Sequence, residues 1–155
     1  MIAVVHNVRS LHNVGSIFRT ADGAGVKKIY LTGYTPGPND KFSKPIPQFA
    51  KVSLGAEEFV AWEKTKDINK VIKNLRAGGY KIIALEQSPK SIPYNSLVRS
   101  RYPLVALIVG NEVRGLSPAI LKKCDAVVDI PMRGCKESLN VSVAFGIAAY
   151  WLSKS

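Results

Sequence analysis

Short apolar runs alternate along the chain with segments in which apolar residues recur every three or four positions. The runs at 2–5, 28–31, 81–85, 104–109 and 126–130 lack regular polar alternation, which is typical of strands buried on both faces. The run at 104–109 is the most apolar and is expected to be a central strand. The pattern predicts an α/β fold with a mostly parallel sheet flanked by helices.

Helical spacing marks the segments between these runs. The first helix is expected to begin near Asn13 and to end at Gly23 or Gly25. A second helix has Asp67 as its N-cap and closes at Gly79. Both follow a strand and precede another, as βαβ units require.

The C-terminal third of the chain continues the same alternation. Ser117 followed by Pro118 is a helix start, an N-cap with proline at the first helical position. The last helix covers 143–152, and its apolar residues form one wide stripe that is expected to face the core. Since no repeat or second pattern is present, residues 1–155 are predicted to form a single domain with no second domain beside it.

The pattern breaks between Thr32 and Ser53, where four prolines lie among lysines and aromatic residues. A loop of this length in a small domain is usually functional or mobile. Contact with a nucleic acid and plain solvation both remain open for this loop. The lysines on the outer side of the 67–79 helix are expected to form a solvated face.

The net charge of the chain narrows the class of molecule that is expected to bind it. The 155 residues include 22 Lys and Arg against 11 Asp and Glu, a net charge of +11, and 46% of the residues are hydrophobic. The basic residues are spread along the chain and therefore belong to a folded surface. A polyanion, most often a nucleic acid, is the expected partner, with an anionic membrane surface as the weaker alternative. No apolar stretch reaches the ~20 residues that a membrane span needs, and no signal peptide is recognisable, so a cytoplasmic protein is predicted.

Metal and disulfide chemistry are not expected. Cys124 and Cys135 are not in C-x-x-C spacing, and His6 and His12 do not form an H-E-x-x-H pattern. We interpret both cysteines as reduced thiols.

Three segments that each follow a predicted strand combine glycine with polar side chains: 6–19, 109–117 and 130–142. Open α/β sheets bind ligands beyond the carboxyl ends of their strands, so these segments are the candidate site. The chain has neither a G-x-G-x-x-G turn after a strand nor a G-x-x-x-x-G-K-S/T loop. A cofactor would therefore be held differently, largely by backbone groups in loops.

These segments resemble the three motifs of the SpoU/TrmH family of the SPOUT superfamily, whose members transfer a methyl group from S-adenosylmethionine to a ribose 2′-hydroxyl of RNA. The resemblance runs through Asn13, Arg19, Gly110-Asn111-Glu112, Gly115, Ile130-Pro131-Met132 and residues 138–142. It implies a SPOUT methyltransferase fold with a C-terminal trefoil knot, a homodimer, S-adenosylmethionine as cofactor, and tRNA or rRNA as substrate. Cys135-Lys136 depart from the expected residues in the third motif.

Site residues follow from the resemblance position by position. It assigns catalysis to Arg19, Asn13, Glu112, Ser138 and Asn140. It assigns cofactor binding, mainly through backbone groups, to Leu85, Gly110, Ile130, Met132, Ser138 and Leu139.

Arg19 has two chemical interpretations and one structural one. Because a guanidinium stays protonated, we favour a fork that holds a phosphate and stabilises the developing alkoxide. Proposals for the family instead make this arginine the activator of the hydroxyl. The structural alternative is an i, i+3 pair with Asp22 on the helix surface.

The other motif residues also have structural alternatives. Glu112 is expected to orient the other motifs by hydrogen bonds, but it would also suit the position before a helix. Ser138 and Asn140 would also serve as caps of the last helix. The apolar stripe that ends in Trp151 is most simply core, and the resemblance makes it the dimer interface as well.

Two other classes of function compete with a methyltransferase. One is a non-catalytic RNA-binding or ribosome-assembly module with the same fold, which the presence of Arg19, Ser138 and Asn140 disfavours. The other is a basic nucleotide-binding enzyme that does not use RNA, which would need the phosphate loop that this chain lacks.

Overall fold

The structure is a computed structural model that describes residues 1–153, apart from the side chain of Arg99. Its strands are β1 (Ile2–His6), β2 (Lys28–Thr32), β3 (Ala61–Thr65), β4 (Lys81–Leu85), β5 (Ile92–Pro93), β6 (Val105–Val109) and β7 (Ala126–Asp129). Its helices are α1 (Leu11–Gly23), α2 (Pro47–Ser53), α3 (Ile68–Ala77), α4 (Pro118–Leu121) and α5 (Val141–Ser153). Short 3-10 turns lie at Ala56–Glu58, Tyr94–Ser96 and Arg99–Arg101.

All seven strands form one parallel sheet in the order β3-β2-β1-β6-β4-β7-β5. Strand β6 lies at the centre, and each of its five residues is buried. Its Ala106 pairs with Ile2 of β1 on one side and with Ile82 of β4 on the other. The predicted parallel α/β sheet and its central strand are therefore confirmed.

The sheet separates two apolar cores. Along β1, Ala3 and Val5 point toward the core that contains α1 and α5, whereas Ile2 and Val4 point toward the core that contains α3. Successive side chains of a strand alternate between faces, so a strand covered on both sides must be apolar throughout. This requirement explains the unbroken apolar runs of the sequence.

The prediction of a loop from Thr32 to Ser53 was wrong in part, because helix α2 occupies the last seven residues of this segment. Pro47 is at the start of this helix, where its missing N–H costs nothing. Phe49 is fully buried, and its ring packs edge-on against Phe18 of α1 with the centroids 5.2 Å apart. Tertiary contact with α1 thus stabilises a helix too short to show helical periodicity.

Strand β3 was missed for a different reason. It is the edge strand beyond β2, and three of its five residues are exposed, so it lacks an apolar run. Helix α1 begins two residues before the predicted Asn13, because the Ser10 side chain caps it by accepting the Asn13 N–H at 3.1 Å. The strand β5 has only two residues, which are too few to show a strand pattern in the sequence.

Helix α5 is apolar on more than its core face. Phe145, Ala148, Ala149 and Leu152 are buried, as a core stripe requires. Val143 and Ile147, which we expected in that stripe, are instead 52% and 36% exposed.

Within residues 1–153, none of the helices is long and apolar enough to cross a membrane. No group of three or more His, Cys, Asp or Glu side chains in this range is placed to hold a metal ion. Cys124 and Cys135 are both free thiols. The trefoil knot and the single-domain organisation stay predictions.

Truncating the centre of the sheet should destabilise the fold strongly. Ile108 is fully buried in β6, so Ile108→Ala is expected to lower the free energy of unfolding by about 2–5 kcal/mol in urea denaturation. Val98→Ala, at a side chain that is 52% exposed, is the control and should change it by less than about 0.5 kcal/mol. Equal effects of the two substitutions would contradict the central position of β6.

Candidate active site

The carboxyl ends of the strands place the three candidate segments at one edge of the sheet. Asn7 follows β1, Gly110 follows β6, and Asp129 ends β7. Because all strands are parallel, these ends lie side by side. The structure therefore brings together the segments that the sequence pointed to.

A cavity of about 350 Å³ opens at this edge. Its lining includes every residue predicted to bind a cofactor, namely Leu85, Gly110, Ile130, Met132, Ser138 and Leu139. Three acidic residues to which the sequence analysis assigned no role also line it, Glu86, Asp129 and Glu137. Glu86 directly follows β4 and Asp129 ends β7, a position that the motif comparison did not use, whereas Glu137 lies within the candidate segment 130–142.

Two glycines shape the wall of the cavity. A Cβ on Gly110 would lie 2.8 Å from the backbone of Gly115 and from the side chain of Leu116. Gly115 has a φ of +63°, and a Cβ there would clash with the Glu86 carboxylate. That carboxylate accepts the Leu116 N–H at 2.8 Å, which ties the loop after β6 to the end of β4. Both positions therefore require glycine for the loop to close.

Glu112 connects the loop after β6 with the start of α1. Its carboxylate accepts the backbone N–H groups of Arg9 at 3.1 Å and Ser10 at 3.0 Å, and the Asn13 side-chain amide at 3.1 Å. The Oδ1 atom of Asn13, a residue only 8% exposed, accepts in turn from Nδ2 of Asn140 at 3.0 Å. One chain of hydrogen bonds thus joins all three motifs.

Asn140 combines the two roles that the sequence left open. Its Oδ1 accepts the Ser142 N–H at 2.9 Å and so caps α5, while its amide nitrogen reaches Asn13. Ser138 lines the cavity beside it. Because a helix start offers unpaired N–H groups, capping and ligand contact are compatible here.

The environment of Glu112 favours its charged form. Burial raises the pKa of this carboxyl. The hydrogen bonds that it accepts outweigh burial; they come from the backbone N–H groups of Ser10, Glu112 itself and Arg9 and from the Asn13 side chain. The net result is a pKa below the usual glutamate value. Glu112 is therefore a fixed anion that orients the motifs, as the sequence suggested.

A second network lies next to the first. Nδ2 of Asn111 donates to the backbone oxygen of Asn7 at 3.0 Å and to the hydroxyl of Tyr34 at 3.0 Å. Asn7 has a φ of +56°, a conformation that asparagine tolerates better than most residues. Its Oδ1 accepts the Tyr34 N–H at 3.2 Å. Sequence reasoning missed Asn7 and Tyr34, although an asparagine directly after a strand is a signal for such a turn.

The same asparagine fixes the ring of His6. Since Oδ1 of Asn7 accepts from Tyr34, its Nδ2 must donate to Nε2 of His6, at 3.1 Å. The proton of His6 therefore sits on Nδ1 and is donated to the Thr32 hydroxyl at 2.9 Å. Burial lowers the pKa of His6, which agrees with a neutral ring.

Of the predicted catalytic residues, Glu112, Ser138 and Asn140 line the cavity, Asn13 is hydrogen-bonded to two of them, and Arg19 lies in a separate depression. It is exposed on α1 and lines a shallow depression together with His12, Ser16, Thr20 and Tyr150. Within the described part of the chain it forms no ion pair with Asp22, so that structural alternative is not observed. Asn13, Glu112, Ser138 and Asn140 are brought together, whereas Arg19 is not.

Residues 1–150 match the SpoU rRNA Methylase family. The chain belongs to this family. It is 34% identical over 150 residues to a tRNA (guanosine(18)-2′-O)-methyltransferase of Aquifex aeolicus, covering 97% of this chain and 67% of that protein. It is 30% identical over 151 residues to the 23S rRNA (guanosine-2′-O-)-methyltransferase RlmB of Acinetobacter baylyi, covering 97% and 58%.

The fold of the SpoU family is also the fold observed here. The crystal structure of an AdoMet-bound rRNA methyltransferase from Sinorhizobium meliloti superposes with a TM-score of 0.86 at 28% identity, covering 97% of this chain and 54% of that one. The predicted family and the mostly parallel sheet flanked by helices are thus confirmed, whereas the knot stays a prediction. The chain spans about 56% to 67% of the length of the curated relatives that it matches.

Neutralising Glu112 should weaken the fold in a pH-dependent way. Because the folded pKa lies below the unfolded one, its stabilisation is present above the usual glutamate pKa and is lost as the pH falls through the folded value. Glu112→Gln should lower the free energy of unfolding at pH 7 by about 1 kcal/mol, since an amide meets the Arg9 and Ser10 N–H groups with only one acceptor atom.

Urea denaturation between pH 3 and 7 measures this effect. The difference between wild type and Glu112→Gln should shrink toward the acid end of the range. Glu58→Gln, at an exposed carboxylate in the 3-10 turn Ala56–Glu58, is the matched control and should follow the wild type. A constant difference at all pH values would show that Glu112 is not the stabilising anion.

Proposed function

We propose that this SpoU-family chain is an S-adenosylmethionine-dependent RNA methyltransferase acting on a ribose 2′-hydroxyl of tRNA or rRNA. The observation that carries this proposal is the cavity at the strand ends, because every residue matching the family's cofactor motif lines it. The relatives named above support the reaction type, and their names include both a tRNA and an rRNA enzyme. A location in the cytoplasm, where such substrates occur, is part of the proposal.

The residues present fit the proposed cofactor. The volume of about 350 Å³ falls in the range of small-molecule sites. Leu85, Ile130 and Leu139 offer apolar surface for a base, while the carboxylates of Asp129 and Glu137 suit a ligand with cationic groups. S-adenosylmethionine supplies an electrophilic methyl group on a positively charged sulfur.

The protein's task is then mainly alignment. The Glu112–Asn13–Asn140 chain fixes the walls of the cavity, so that a ribose hydroxyl can be held in line with the methyl group. As the hydroxyl oxygen bonds to the methyl carbon, the carbon–sulfur bond breaks, which leaves a neutral thioether, and the hydroxyl proton passes to water. Negative charge develops on the oxygen as that proton departs. We assign Arg19 to the stabilisation of that charge and to the adjacent phosphate, because its planar guanidinium remains protonated.

Arg19 does not line the cavity of its own protomer, and a second copy would offer it another cavity. The exposed apolar residues of α5 and of the segment before it form a stripe at spacings of three or four: Leu139, Val143, Ile147 and Tyr150. Tyr150 also lines the depression that holds Arg19. We therefore propose a homodimer in which this stripe is covered and Arg19 of one protomer lies at the cavity of its partner.

The basic surface supports RNA as the substrate. A net charge of +11 favours association with phosphates through counterion release. Lys41 and Lys44 are exposed in the segment before α2, and Lys70 and Lys73 are exposed on α3. We assign these side chains to sequence-independent contacts with the RNA backbone.

Narrowing the cavity should weaken cofactor binding. Wild-type protein is expected to bind S-adenosylmethionine in calorimetry. Ala144→Leu places a larger side chain in the cavity wall and should weaken binding by about 5- to 100-fold. Ala77→Leu, at an exposed position of α3, is the matched control and should bind normally. Absence of wild-type binding at millimolar cofactor would leave a non-catalytic RNA-binding module as the function.

Mixing two impaired variants tests the shared site, with the cofactor held at a concentration that wild type binds but Ala144→Leu does not. Arg19→Ala should keep its affinity for S-adenosylmethionine, since Arg19 is not part of the cavity wall, but lose methyl transfer to unmodified tRNA and rRNA transcripts. Exchange with Ala144→Leu should restore about one quarter of wild-type turnover, because half of randomly mixed dimers carry one working site of two. If Arg19 served its own protomer, every mixed dimer would be inactive.

A further inference from the structure

Tyr34 is an exposed aromatic side chain fixed at the rim of the cavity. It is 56% exposed, and its hydroxyl accepts a hydrogen bond from Nδ2 of Asn111, a cavity-lining residue, at 3.0 Å. Its backbone N–H donates to Oδ1 of Asn7 at 3.2 Å. Both ends of the residue are therefore attached to the turns that follow β1 and β6.

The turn that carries Tyr34 has little freedom. Gly33 has a φ of +66°, and a Cβ at this position would clash with Oδ1 of Asn7. Thr35 is fully buried, and its hydroxyl accepts the Val8 N–H at 3.2 Å and lies 3.0 Å from the backbone oxygen of Val5. The ring is thus fixed through the Tyr34 hydroxyl at one end and the Tyr34 backbone at the other, and it remains exposed to solvent. Single exposed aromatic residues are common, but Tyr34 differs from a merely exposed residue because its backbone and its hydroxyl are both fixed.

We propose that the Tyr34 ring is a stacking platform for a nucleobase of the RNA substrate beside the cavity. This inference rests on the proposed function, because it names how that site receives its nucleotide. Aromatic rings presented to solvent next to basic side chains are the usual means of holding single-stranded RNA. Further along the same segment, Lys41 lies 5.0 Å from the ring centre of Phe42, itself 71% exposed, which adds a cation and a second ring.

Such a platform would assist entry of the nucleotide. A ribose hydroxyl enters an enclosed cavity more easily when its nucleotide leaves the stack of its neighbours, and unstacking has an energetic cost. A ring that is already immobilised can replace the lost stacking partner without losing further conformational entropy. Stacking is tolerant of sequence, so Tyr34 would favour an unstacked nucleotide without selecting its base.

Two RNA probes of equal charge separate stacking from phosphate binding. The first is a fluorescent single-stranded RNA of twelve nucleotides, and the second is the same sugar-phosphate chain without bases. Wild-type protein is expected to bind the first more tightly in fluorescence anisotropy. Tyr34→Ala should weaken binding of the first probe by about 5- to 100-fold and leave binding of the abasic probe unchanged.

Tyr34→Phe and Phe59→Ala are the matched variants. Tyr34→Phe keeps the ring but loses the hydrogen bond from Asn111, and it should retain base-dependent binding. Phe59 is 78% exposed but lies before the start of β3, at the opposite end of the sheet, so Phe59→Ala should bind both probes like wild type. If Tyr34→Phe were as weak as Tyr34→Ala, the hydroxyl and not the ring would matter, and the inference would be overturned.

A separate measurement distinguishes this inference from the proposed function. Tyr34 does not line the cavity, so calorimetric binding of S-adenosylmethionine should be the same in wild type and Tyr34→Ala. If the wild-type protein does not bind S-adenosylmethionine, the proposed function is contradicted. If the wild-type protein binds both RNA probes equally well, only the stacking platform is contradicted.

Discussion

The Glu112 carboxylate is the interaction on which the candidate site depends. Its partners Arg9, Ser10 and Asn13 lie 99 to 103 positions away in the sequence, at the start of α1. That helix has no acidic residue in its own first turn, so its positive end receives its anion from the loop after β6. The same bond holds Asn13 in the orientation that accepts from Asn140. One charge therefore positions three segments that no local interaction would bring together.

The fold could be predicted where burial on both faces of the sheet leaves its mark on the sequence. Strand β6 needs apolar residues at all five positions, and the sequence displays them as an unbroken run. The edge strand β3 and helix α2 were not predicted, because their stability comes from contacts with neighbouring elements of the fold. Strand β3 has a partner on one side only, and α2 is fixed by the contact between Phe49 and Phe18. Neither constraint produces a periodic pattern in the sequence.

The candidate site was predictable only as far as motifs record it. Gly110, Ile130 and Ser138 meet at the cavity as the resemblance implied. The turn through Asn7 and Gly33 was overlooked, because its only mark in the sequence is an asparagine directly after a strand. The position of Arg19 was overlooked too, although helical geometry places residues six apart, such as Asn13 and Arg19, on different faces. A motif reports which residue types occur but not which surface they face.

On the proposed function, the position of Arg19 separates cofactor binding from methyl transfer. In that proposal a single protomer carries the cavity, and its partner supplies the guanidinium. Bringing two copies together joins charges of +11 each into +22, and the repulsion between them opposes association. Apolar contact along α5 would favour the dimer, and the phosphates of a bound RNA would weaken the repulsion. RNA would thus promote assembly of the site without being its sole source.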